Sequence, residues 1–185
     1  MRHVWVLVVA ACGAAPPPAP RAPYPELVRE APGGWLDDDG TYHSEELPLA
    51  VWLPADAELA FDHLAHKSVL VGSFDGIGML LQWWKMDGAP SRGTLDEYIE
   101  AIDTEHQLDG DAMADFAIEG ATFARGKAWT DREAGTHTAM RIAWMDPWLV
   151  VASAWTPASS PRAPEVDRVL ASLSLASAPR ASRLR

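Results

Sequence analysis

Large aliphatic residues recur at every second position from Leu47 to Leu53, with Leu47, Leu49, Val51 and Leu53 on one face. A period of two predicts a half-buried β-strand, with Pro48 at its start or on a sheet edge. Pro54-Ala55-Asp56 ends it, and Asp56 as a cap predicts a short helix to about Ala65. Ser68–Phe74 and Ile77–Met86 read as two more strands. Asp75-Gly76 joins them, a dipeptide that favours tight hairpins because it tolerates positive φ. The second of these strands is apolar on both faces. Ile77, Met79, Leu81 and Trp83 point one way, and Leu80, Trp84 and Met86 point the other. Such a strand is either covered on both sides or uses one face for binding.

The period then changes. Thr94-Leu95-Asp96-Glu97 has the form of a capping box, and Leu95, Tyr98, Ile99 and Ile102 make the apolar stripe of a helix to about Gln107. Ala121–Thr130, Thr136–Met145 and Trp148–Thr156 return to strand patterning and predict an antiparallel meander with turns at 131–135 and 146–147. A last helix opens at Pro164 and carries Val166, Val169, Leu170 and Leu173 on one side. Strands cluster rather than alternate with helices. The expected class is therefore α+β, a central antiparallel sheet flanked by helices, within one globular domain at 35–176.

The flanks differ in kind. Residues 1–11 hold one Arg and the apolar run Val4-Trp5-Val6-Leu7-Val8-Val9. That run is too short for a membrane-spanning helix and has the form of a signal-peptide core. It leads into Val9-Ala10-Ala11-Cys12, which resembles the bacterial lipobox. The resemblance implies lipid attachment at Cys12 and cleavage before it, so that Cys12 becomes the first mature residue and holds the protein on a membrane. Gly13 follows Cys12 where inner-membrane retention would use Asp, which implies an outer-membrane lipoprotein of the cell envelope. The 12–34 segment is rich in Pro and Ala and suits an extended, disordered tether. A disordered basic tail is expected at 177–185, where Arg180, Arg183 and Arg185 stand without an acid.

The formal net charge of −11 disfavours a nucleic-acid partner, because a field of that sign repels phosphate backbones. The single cysteine, Cys12, leaves the domain without a disulfide or a thiolate metal site. Nine Trp against three Tyr and four Phe is an unusual balance, and such large rings need a core or a partner.

The order of elements, with an opening "LPLAVWLP" strand and a closing "PEVDRVLASLSL" helix, resembles the PsbP/DcrB-like family. That resemblance covers about 42–175 and implies a PsbP-like α/β/α sandwich. It also implies an accessory role through protein–protein binding, with no shared catalytic residues to carry over.

Candidate chemistry is sparse. His63 and His66 stand three apart on the expected short helix, but no third zinc ligand is near in sequence. Asp37-Asp38-Asp39-Gly40 and Asp109-Gly110-Asp111 lack the spacing of a calcium loop. There is no GxSxG and no phosphate-cradling glycine loop. The expectation is a non-enzymatic module without cofactor or metal, binding a protein or peptide through Trp52, Trp84 and Trp155. The alternative is a carrier of a small apolar ligand or lipid in a cavity between sheet and helix.

Overall fold

A computed structural model describes residues 29–106, 109–110, 113–131 and 134–176. The leader at 1–11, Cys12, most of the expected tether and the 177–185 tail lie outside the described residues. So does Asp111 of the second acidic run.

Two antiparallel sheets make up most of the structure. The small sheet runs in order through β1 (Arg29–Ala31), β2 (Gly34–Leu36), β3 (Thr41–Ser44) and β4 (Ala50–Trp52). The large sheet begins with β5 (Glu58–Leu64), β6 (Lys67–Phe74) and β7 (Ile77–Lys85). After helix α1 (Arg92–His106) come the short β8 (Asp109–Gly110) and β9 (Ala114–Phe116), both paired to β10 (Phe123–Asp131). A second meander follows through β11 (Thr136–Met145) and β12 (Trp148–Pro157), and helix α2 (Ala163–Ala171) ends the fold. The order across the large sheet is β5-β6-β7-β12-β11-β10, with β8 and β9 beyond β10. The pairing of β12 to β7, Trp148 opposite Lys85 through Trp155 opposite Gly78, welds two meanders into one surface.

This overturns the expectation of a helix-flanked α+β sandwich. The described residues are mostly β, with two sheets and only two short helices among them. Three local choices account for the difference. Asp56 sits in a turn closed by the Ala57 N–H on the Pro54 carbonyl, so it caps no helix. Residues 58–64 form β5 instead, because Leu59 and Phe61 alternate inward while Glu58, Ala60 and Asp62 stay in solvent. Residues 29–44, of which 29–34 were expected in the tether, pair as β1, β2 and β3. Tyr42 is fully buried there, and its hydroxyl donates to the Pro32 carbonyl at 3.1 Å.

Other expectations hold in detail. The turn between β6 and β7 has Asp75 at φ 42° and Gly76 at φ 80°, the doubly left-handed pair an Asp-Gly hairpin uses. Leu47, Leu49, Val51 and Leu53 are all buried, although only 50–52 pair as a strand. Helix α2 buries Val166, Val169 and Leu170. Helix α1 starts one turn early, with Ser91 rather than Thr94 as its cap: the Ser91 hydroxyl accepts the Thr94 N–H at 3.0 Å.

Two cores stand on opposite faces of the large sheet. One lies between that sheet and the layer formed by the small sheet and α2, centred on Tyr42, Leu49, Leu81, Trp83, Val150 and Val169. Full burial of the Trp83 indole there is worth about 4–6 kcal/mol as area removed from water, an upper estimate. The other lies beneath α1, where Leu95 and Ile99 meet Ile142, Trp144, Leu149 and Val151. Arg125 pins that helix: its guanidinium donates to Asp96 on α1 at 2.7 and 3.0 Å and to Asp115 on β9 at 2.7 Å.

Candidate functional site

Helix α1 covers only the β10–β11–β12 half of its face of the sheet. Strands β5, β6 and β7 present their outward residues on the other half with no helix above them among the described residues. The register arranges these residues in rows. Leu64 stands opposite Lys67; Val69 stands opposite Gln82, and Val71 opposite Leu80; Trp84 stands opposite Leu149. Ser73 stands opposite Gly78, and Gly78 opposite Trp155. The result is an apolar floor running the length of β7.

Leu64, Val71, Tyr98 and Trp155 are the large hydrophobic residues that stand exposed among those described, at 36–42 % of their full area. All four border this floor. Tyr98 reaches it from the flank of α1. Apolar exposure gathered on one face, rather than scattered, is the usual mark of an interaction surface.

Each end of the floor is hollowed. A hollow of about 420 Å³ is lined by Leu64, His66, Lys67, Gln82, Trp84 and Tyr98. A second, of about 520 Å³, lies between Trp155, Val71 and Gly78 and the acidic Asp56, Glu58 and Asp75. Gly78 is needed at that end, because a Cβ there would overlap the Trp155 indole. Behind it, Arg162 at the start of α2 reaches Asp75 at 2.9 Å and holds Glu165 at 2.6 Å, which keeps the Glu165 carboxyl below its ordinary pKa.

Of the three aromatic residues singled out in sequence, two share this face. Trp84 and Trp155 bracket the floor. Trp52 does not join them. It packs against the core on the opposite side of the sheet, and the Arg168 guanidinium lies 3.7 Å from its ring centre. The Trp83-Trp84 question resolves as strand geometry requires: Trp83 is fully buried, and Trp84 lies on the other face, half-buried against the core beneath α1. Leu64 was missed because 56–65 reads as a helix, and Val71 because the pattern of Ser68–Phe74 does not record which sheet face stays uncovered. The signal that places both on one face is the two-residue alternation of 58–64 continued through 67–73.

One polar cluster is also visible only in three dimensions. Glu46, in the loop between β3 and β4, accepts the Trp83 indole N–H and the Ser68 hydroxyl on a single oxygen, each at 2.6 Å. His63 Nδ1 lies 2.9 Å from the Ser68 oxygen and 3.2 Å from the other Glu46 oxygen. Serine, histidine and a carboxylate are thus together, but not as a nucleophile relay. Ser68 is buried and gives its proton to Glu46, and both neighbours of His63 meet the same ring nitrogen. A relay needs the histidine to bridge the serine with one nitrogen and the carboxylate with the other.

The acidic run at 37–39 is closed on itself. The Thr41 N–H donates to Asp37 and Asp39, and His43 Nε2 meets Asp37 at 2.9 Å. Hydrogen bonds with the Asp37 carboxyl and with Thr41 hold the Asp39 pKa below its ordinary value. Among the described residues no group of three His, Cys, Asp or Glu is placed to hold a metal ion. His63 and His66 lie at the end of a strand and in the turn after it, so the helical spacing does not apply to them. Among the described residues no helix is long and apolar enough to cross a membrane. No family model and no curated protein matches the chain.

Proposed function

We propose that this chain is a lipoprotein tethered to the bacterial cell envelope through Cys12, and that its domain is a non-enzymatic module binding a protein or peptide on the open half of the large sheet. The carrying observation is the gathering of Leu64, Val71, Tyr98 and Trp155 on one uncovered sheet face. The anchor rests on the apolar leader, the lipobox-like Val9-Ala10-Ala11-Cys12 and the proline-rich segment after it. The carrier alternative asks for room between helix and sheet. That space is occupied by Leu95, Ile99, Ile142 and Trp144, all buried, and both hollows on the open face are open to solvent.

A photo-crosslinking residue placed at Val71, and separately at Asp167 on the outer side of α2, tests the docking face in intact cells. A discrete protein adduct at Val71 and none at Asp167 is expected. Equal labelling at both positions, or none at Val71, would refute the reading. For the anchor, Cys12→Ser should move the protein from the membrane to the soluble fraction.

A further inference from the structure

We infer that the occupant of the open sheet face is a cationic amphipathic helix, lying along the strands beside α1 with its basic end at Glu58, Asp56 and Asp75. This rests on the reading of that face as a docking surface and names the chemistry of what docks.

Size is the first argument. From Trp84 to Gly78 the floor runs six residues of β7, about 20 Å at the rise of a strand. The span from β5 to β7 is two strand spacings, about 10 Å. A helix with its side chains is about 10–12 Å across, and about 13 residues cover 20 Å. Helix α1, at 15 residues, already packs on the other half of the same face through Leu95 and Ile99. The vacant half therefore has the dimensions of one more such helix, with the flank of α1 at Tyr98 as its wall.

Charge is the second. The residues of β5 that share this face with Ala60 and Leu64 are Glu58 and Asp62. Asp56 and Asp75 complete an acidic rim around the Trp155 hollow. Arg162 meets Asp56 and Asp75 from behind, but its shortest contact is to Glu165, which leaves the rim net negative. The opposite hollow carries Lys67 and the aromatic pair Trp84 and Tyr98. A helix with its positive N-terminal end and its Lys or Arg residues at the Glu58 end, and an aliphatic anchor between Trp84 and Tyr98, meets complementary charge at both ends. The Trp155 indole offers a ring face to the same cations.

Titration of the full chain with an amidated peptide of about 14 residues, Leu on one helical face and Lys elsewhere, tests this by calorimetry. Two further peptides serve as comparisons: one with Glu for every Lys, and one with the Leu and Lys order scrambled. The patterned Lys peptide should bind, with the other two about ten-fold weaker or more. Leu64→Asn with Val71→Asn should weaken it by about ten-fold, and Glu58→Gln with Asp62→Asn by about five-fold. Asp38→Asn with Glu45→Gln, remote acids on the small-sheet side, should change it by less than about two-fold.

Equal binding of the Lys and Glu peptides would overturn the cationic assignment. Equal binding of the scrambled peptide would overturn the helix. Remote and local acids weighing the same would reduce the binding to general attraction of opposite charges and overturn the site. If no peptide binds while the Val71 crosslink persists in cells, the cationic-helix inference falls and the docking face stands.

Discussion

Removing the Glu46 carboxylate should loosen the attachment of the small sheet to the large one. Glu46 sits in the β3–β4 loop yet satisfies Trp83 on β7 and Ser68 on β6, both through one oxygen at 2.6 Å. Trp83 is fully buried, so Glu46→Ala leaves its indole N–H unpaired, while the Ser68 hydroxyl, 2 % exposed, keeps His63 Nδ1 at 2.9 Å as a partner. An unpaired donor of this kind costs about 1–3 kcal/mol. The Glu46 side chain is itself 30 % exposed, so water can reach part of the vacated space and the loss belongs in the middle of that range, about 2 kcal/mol. For a domain of this size that corresponds to a Tm lowered by about 5–10 °C. Glu46→Gln keeps an oxygen in the same place and loses only the charge, which makes it cheaper, at about 1 kcal/mol. Ser68→Ala added to Glu46→Ala should cost less than the two single losses together, because each single change already removes the hydrogen bond that the two side chains share. Urea unfolding followed by Trp emission and far-ultraviolet circular dichroism measures all four variants. A loss below about 0.5 kcal/mol for Glu46→Ala, or equal losses for Ala and Gln, would refute the role given to this carboxylate.

Two further outcomes follow from single residues. Burial, reinforced by the nearby Glu45 and Glu46, pushes the Tyr42 phenol well above its ordinary pKa. Its neutral form is thus favoured in the fold, so its contribution is whole below about pH 10 and is lost as pH rises above that value. Tyr42→Phe should cost about 1 kcal/mol at neutral pH through the lost bond to Pro32 and make the alkaline decline in urea midpoint shallower; an unchanged alkaline slope would count against it. Gly78→Ala should displace the Trp155 indole from its seat over the strand, shift Trp emission to the red and cost about 1 kcal/mol, whereas an unmoved spectrum would mean that Trp155 does not rest there.

Much of the fold was legible residue by residue. Asp75-Gly76 sets a hairpin by backbone preference alone, and the strand pairs on either side follow from it. The three long strands of the second meander carry their period over enough residues to be unmistakable. Short elements were not legible. Residues 58–64 alternate weakly, with Ala60 and Leu64 among the outward positions, and became a strand because β6 offers a full ladder of partners. The hairpin at 29–36 has three residues a side, too few for a period, and is held where it covers Tyr42, whose hydroxyl donates to the Pro32 carbonyl.

The candidate site divides the same way. The sequence by itself determined that Trp83 and Trp84 face opposite ways and that β7 is apolar on both sides, because the pleat allows nothing else. It also determined the acidity of the chain and the position of its one cysteine. Which face of β7 stays open was decided only by tertiary structure. Helix α1 is anchored by Arg125 to Asp96 and Asp115 over the β10 side, and so it leaves the β5–β7 half bare. Coverage of a sheet depends on where a helix distant in the chain is pinned, and no local pattern in the strand records that.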